Sequence, residues 1–78
     1  MNDIISDDFL VTLTGCQQIL IENYKGIKSY DAGEICILGK KRRLTIYGEG
    51  LTIQYYSYET MKVIGTIKKL EYESGGNA

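Results

Sequence analysis

Apolar and polar residues alternate with a period of two through most of the chain, the spacing of strands that bury one face. Phe9, Val11 and Leu13 alternate with Leu10, Thr12 and Thr14 until Gly15 interrupts. Ile19 to Ile21 predicts a second strand, closed by Glu22-Asn23-Tyr24-Lys25-Gly26, where Asn and Gly tolerate the positive φ of a tight turn. Ile27 to Tyr30 is a short third strand ending at Asp31-Ala32-Gly33, and Glu34 to Leu38 is a fourth, stopped by Gly39. Arg43 to Tyr47 and Leu51 to Tyr55 are near copies separated by Gly48-Glu49-Gly50, which predicts the two arms of a hairpin. Met61 to Glu73 is a long last strand, with Gly65 suited to a close approach of another strand and Lys68-Lys69 to a bulge.

This pattern predicts an all-β fold: a single small domain, an antiparallel meander of about seven short strands, closed as a rolled sheet or compact sandwich. Segments 1–7 and 74–78 bracket a β domain over 8–73 and are expected to be flexible, having little to bury. Composition agrees. Ile, Val, Thr, Tyr and Phe supply 27 of the 78 residues, whereas Ala, the best helix former, occurs twice. The fourth strand is apolar on both faces, Ile35 and Ile37 on one and Cys36 and Leu38 on the other, so it must be covered twice. A rolled sheet could do this, and so could a second subunit.

Candidate chemistry is sparse. With no His in the chain, Ser-His and Cys-His nucleophile pairs and His-containing metal sites are excluded together. Carboxylates are scattered over turns and outward positions, and the glycines form neither GxGxxG nor a P-loop. An enzyme is therefore not expected, nor a cofactor or metal. A formal charge of −1 provides no global field for nucleic acid or an anionic membrane. No apolar run approaches the roughly 20 residues of a membrane span. Met1-Asn2-Asp3-Ile4 lacks the start of a secretion signal, and Cys16 and Cys36 read as reduced thiols of a cytoplasmic protein.

Two clusters remain. Lys40, Lys41, Arg42 and Arg43 gather four of the nine cations at a predicted turn. Such a turn can contact an anion, or simply be a solvated tip whose charge keeps the sheet edge from sticking to others. Tyr55, Tyr56 and Tyr58, with Tyr47, form an aromatic cluster suited to core rim packing, to a protein interface, or to base stacking. Strict alternation sets Tyr55 and Tyr56 on opposite faces, which spoils a flat stacking platform. Leu51, Ile53 and Tyr55 then share one face, and with Tyr56 and Tyr58 they form the candidate interaction surface.

The ordered set of motifs resembles the YabP/YqfC sporulation protein family, most nearly its YqfC branch. The similarity runs through Asp8-Phe9-Leu10-Val11-Thr12-Leu13-Thr14-Gly15 and the turn Ile21-Glu22-Asn23-Tyr24-Lys25-Gly26-Ile27, where Tyr24 replaces the family's His. It continues in Leu44-Thr45-Ile46-Tyr47-Gly48, Leu51-Thr52-Ile53 and Ile64-Gly65-Thr66-Ile67. The resemblance implies a non-enzymatic protein of endospore-forming bacteria, cytoplasmic, reaching a sporulation membrane only through a membrane-bound protein partner. No catalytic residue carries over. The leading expectation is thus a structural or interaction module that binds itself, such a partner, or both. A small β-barrel binding single-stranded nucleic acid is the alternative.

Overall fold

The computed structural model describes residues 9–74; the two segments expected to be flexible lie outside them, Ser74 excepted. The elements are β1 (Leu10–Thr14), β2 (Gln18–Glu22), β3 (Gly26–Asp31), β4 (Glu34–Leu38), β5 (Arg42–Tyr56) and β6 (Thr60–Ser74), with no helix among the described residues. All pairings are antiparallel, in one sheet of order β1-β2-β6-β5-β4-β3. β3 to β6 form the expected meander. The β1–β2 hairpin is added on the far side of β6.

Seven expected strands become six because the near-copies at 43–47 and 51–55 are not a hairpin. They are the two halves of one 15-residue strand, β5. Equally long β6 explains why. Its second half pairs with Arg42 to Glu49, and its first half pairs with Thr52 to Tyr56, so both arms find their partner there. Gly48-Glu49-Gly50 bends the strand instead of reversing it, with only Gly50 at positive φ among the three.

The bends of β5 and β6 cross at glycines. A Cβ on Gly48 would overlap the Thr66 carbonyl, and one on Gly65 would lie 2.7 Å from the Gly50 oxygen. Gly65 also holds a φ of 135°, which side-chain-bearing residues rarely adopt. The close approach expected at Gly65 is thus present, as is the bulge: Tyr47 pairs with Lys69 and Gly48 with Ile67, leaving Lys68 as the extra residue.

Connectivity forces the sheet to roll. In a flat sheet β2 and β3 would lie four strand spacings apart, about 19 Å. Asn23, Tyr24 and Lys25 join them, and four Cα steps reach at most about 14 Å. The halves therefore close on each other: within two residues the connection passes from the Asn23 amide donating to the Glu59 carbonyl at 2.7 Å, beside β6, to the Lys25 amide donating to the Leu38 carbonyl at 2.8 Å, beside β4. The enclosed core draws Ile19 and Ile21 from β2, Ile35 and Ile37 from β4, Leu44 and Ile46 from β5, and Met61 and Val63 from β6, all without exposed surface. Phe9 seals it against Gly39 and Tyr72, its ring centroid 6.4 Å from that of Tyr72. Tyr24 is the other plug, its hydroxyl donating to the Ser57 carbonyl at 2.6 Å. Burial, and then the neighbouring Tyr56, push the Tyr24 phenol above its ordinary pKa.

The outer face of β4 is covered without a second chain. Cys36 is buried and accepts a hydrogen bond from the Thr45 hydroxyl at 3.7 Å. Around it stand the long side chains of Lys28, Arg43 and Tyr47. The apolar second face of this strand thus gives no reason of its own for a partner.

Candidate interaction surface

β5 leaves the rest of the meander at its bend. Pairing with β4 stops at Tyr47, and beyond it no described strand lies on that side of β5. The β3–β4 turn reaches across instead: the Gly48 amide donates to the Gly33 carbonyl at 3.1 Å, and the Leu51 amide to the Ala32 carbonyl at 2.9 Å. One step further, the Ile53 amide donates to the Tyr30 hydroxyl at 3.1 Å. Past this bridge β3 and β5 diverge, and a recess of about 610 Å³ opens between them, lined by Ile27, Tyr30, Ile53, Gln54, Tyr55 and Tyr56.

Two bulges make this recess. In β3, Ile27 pairs with Ile37 and Ser29 with Cys36, so Lys28 is an extra residue. Tyr30, opposite Ile35, thereby joins Ile27 on the core-facing side, although strict alternation would separate residues three apart. In β5, Ile53 pairs with Val63 and Tyr55 with Lys62, so Gln54 is extra. Tyr56, opposite buried Met61, returns to the face of Ile53, and Tyr55 moves to the outer face beside Lys62. The recess is the open end of the core-facing side, where two strands each contribute an i, i+3 pair.

The structure therefore redistributes the sequence-derived surface. Leu51 is 3% exposed and belongs to the core. It does not share a face with an exposed Tyr55, as unbroken alternation had predicted, because the Gln54 bulge moves that tyrosine to the other face. Ile53 and Tyr56 meet on the core-facing side of the recess, and Tyr55, on the outer face, borders it. Tyr58 stands 94% exposed in the β5–β6 turn, outside the lining. Ile27 and Tyr30 are the additions that sequence reasoning missed. Their only local signal is the apolar–x–x–apolar spacing in a run that should alternate.

The basic cluster sits elsewhere. Lys40 and Lys41 occupy the β4–β5 turn, which the Gly39 amide closes by donating to the Arg42 carbonyl at 2.8 Å. Arg43 is committed to Glu73 at 2.6 Å. None of the four cations lines the recess. Tyr47 lies apart from the other tyrosines too, donating to Glu71 at 3.2 Å with the Lys69 ammonium 5.3 Å from its ring centre. Burial, and then Glu71, raise its pKa. The thiols are free, Cys16 exposed in the β1–β2 turn and Cys36 buried in β4.

No helix of the described residues is long and apolar enough to cross a membrane. No curated protein and no solved structure gives a significant match. A family model described as the YabP family matches residues 7–78, the span that contains every strand, both bends and the recess. By that match, the chain belongs to the YabP family.

Proposed function

We propose that this protein is a non-enzymatic interaction module of sporulation whose recess receives an extended segment of a partner protein. Membership in the YabP family suggests the sporulation-related role. The observation that carries the docking mode is the recess itself, set beside a strand edge that no described strand pairs. An incoming strand can hydrogen-bond along such an edge while its alternate side chains enter the apolar pocket between Tyr30 and Tyr56. Tyr side chains supply large contact area and lose little conformational freedom. A second copy of the chain fits poorly, because it would present the same concavity, and two hollows do not fill each other. Lys62, on the face of Tyr55, favours a carboxylate at the rim of the partner segment.

The partner we favour is a membrane-bound sporulation protein, with this chain on the cytoplasmic side and held to the membrane through it. Aromatic, aliphatic and amide groups make up the lining, with no carboxylate or amine among them, which supports binding over catalysis. Nucleic acid gains no support, since the cations of the β4–β5 turn and the tyrosines of the recess do not meet.

The test is genetic. In the spore-forming host, deletion of the gene should reduce heat-resistant spores, and the wild-type allele should restore them. An allele carrying Tyr56→Asp should behave like the deletion while the purified variant keeps the sheet signature in far-UV circular dichroism. Tyr58→Ala, which changes an exposed tyrosine outside the recess, should sporulate normally. Full spore yield with Tyr56→Asp would remove the recess from the function.

A further inference from the structure

We propose that two copies of this chain associate through β1, edge to edge, making one continuous sheet across a two-fold axis that passes beside Thr12. This surface is separate from the recess and stands whether or not the recess binds a partner.

β1 ends the sheet, so its outer side has no strand neighbour among the described residues. Charged side chains, Lys above all, stay solvated on an edge strand and guard it against pairing with another strand. That consideration sorts the open edges. β6 past its bend carries Lys68, Lys69, Glu71 and Glu73, and β3 carries Lys28 and Asp31. The open part of β5 past Leu51 is uncharged but recessed. β1, Leu10-Val11-Thr12-Leu13-Thr14, carries no charge, and only its last residue, Thr14, borders a recess, the one at the β6 bend. It also lacks the usual guards of an edge strand, having neither Lys, Pro nor a bulge.

The side chains are self-complementary in one register. Val11 and Leu13 pair with Ile21 and Ile19, so they lie on the core-facing side of the sheet, and Leu13 is 47% exposed. With Thr12 facing itself, Val11 comes opposite Leu13 of the second copy, and Leu13 opposite Val11. The buried row Ile19 and Ile21 then continues through four aliphatic side chains into the same row of the second copy. On the outer face Thr12 meets Thr12, a favourable cross-strand pair, and Leu10, 60% exposed, lies beside Thr14 of the other chain. A five-residue edge makes a small interface, so the association is of the weak, concentration-dependent kind.

Light scattering of the purified protein over a series of concentrations tests this, using Thr12→Lys and Thr12→Glu. Thr12 is exposed on an edge strand, so both variants should keep the wild-type circular dichroism spectrum. The wild-type mass should rise from 8.8 kDa toward twice that value as concentration increases. Each variant alone should stay at the single-chain mass, because the axis sets two like charges side by side. An equimolar mixture should associate again as Lys meets Glu. A wild-type protein that remains a single chain throughout would overturn the proposal. So would variants that associate as the wild type does, or a mixture that fails to recover. Association lost in Tyr56→Asp but kept in both Thr12 variants would place the second copy in the recess instead, and would also overturn it.

Discussion

The β1–β2 and β3–β4 hairpins stand in matching places, and their difference explains where a partner can bind. Each flanks the first half of a long strand, β6 or β5, and each turn offers two carbonyls to that strand at its bend. Gln17 and Cys16 accept from the Gly65 and Ile67 amides, at 3.1 and 2.7 Å. Gly33 and Ala32 accept from Gly48 and Leu51, at 3.1 and 2.9 Å. Beyond the bends the likeness ends. On the β3 side an aromatic side chain bridges to the long strand through the Tyr30 hydroxyl, and a tyrosine-lined hollow lies past it. Over β1, Phe9 closes the core, and the edge strand outside is unbulged and uncharged, with Leu10 and Leu13 exposed. Equivalent backbone frames thus give two kinds of surface. A hollow needs a partner of different shape, whereas an unbulged, uncharged edge can meet its own copy.

The two bends should be equally indispensable if this pairing of halves is real. Gly65→Ala and Gly48→Ala each force a Cβ into the backbone of the crossing strand, and Gly65 adds strain from its φ. A loss of about 3 kcal/mol or more is expected for each, read from urea unfolding midpoints. A loss below about 1 kcal/mol at either site would break the equivalence of the bends.

A smaller effect should mark the core plug on the β2–β3 connection. Tyr24→Phe removes a hydroxyl that donates to the Ser57 carbonyl, with an expected loss of about 1 kcal/mol. The phenol also makes stability depend on pH. Its folded pKa lies above the unfolded value of about 10. The folded state therefore holds the proton more tightly, so this contribution is complete below about pH 10 and falls as pH rises through the folded value. Tyr24→Phe should flatten the alkaline limb of the stability profile, and an unchanged limb would assign the loss to other groups.

The smallest change is expected of Tyr30→Phe. The Ile53 amide loses its acceptor, yet the site is exposed and water can replace it, so under about 1 kcal/mol is expected. Partner binding should suffer more than stability does. A large stability loss would instead make Tyr30 a structural strut equivalent to Phe9.

Much of the fold was legible because burial writes itself into alternation. Every expected strand overlaps an observed one, and Gly65 and Lys68 announced the crossing and the bulge. The Gly48-Glu49-Gly50 segment misled because its local chemistry suits a reversal and a bend alike. What decides between them is β6, which comes later in the chain and is long enough to pair both halves. The recess was half legible for a related reason. Gln54 and Lys28 sit in bulges that no local residue pattern proclaims, and each moves the next residues of its strand to the opposite face. That hid the sharing of one face by Tyr30 and Ile27, and it grouped buried Leu51 with exposed Tyr55. Meeting across the recess is a property of the rolled sheet, which the short β2–β3 connection imposes only once the strand order is known.

The central claim, that the β3–β5 recess takes an extended segment, can be measured on the protein itself. Peptides selected from a displayed random library on the wild type, and counter-selected on Tyr56→Asp, supply the probe. Titrated into isotope-labelled protein, such a peptide should shift the amide resonances of Ile27, Tyr30 and Ile53 to Tyr56 and slow hydrogen exchange along that edge of β5. Shifts confined to Leu10–Thr14 or to Lys40–Arg43, with the recess unmoved, would contradict it.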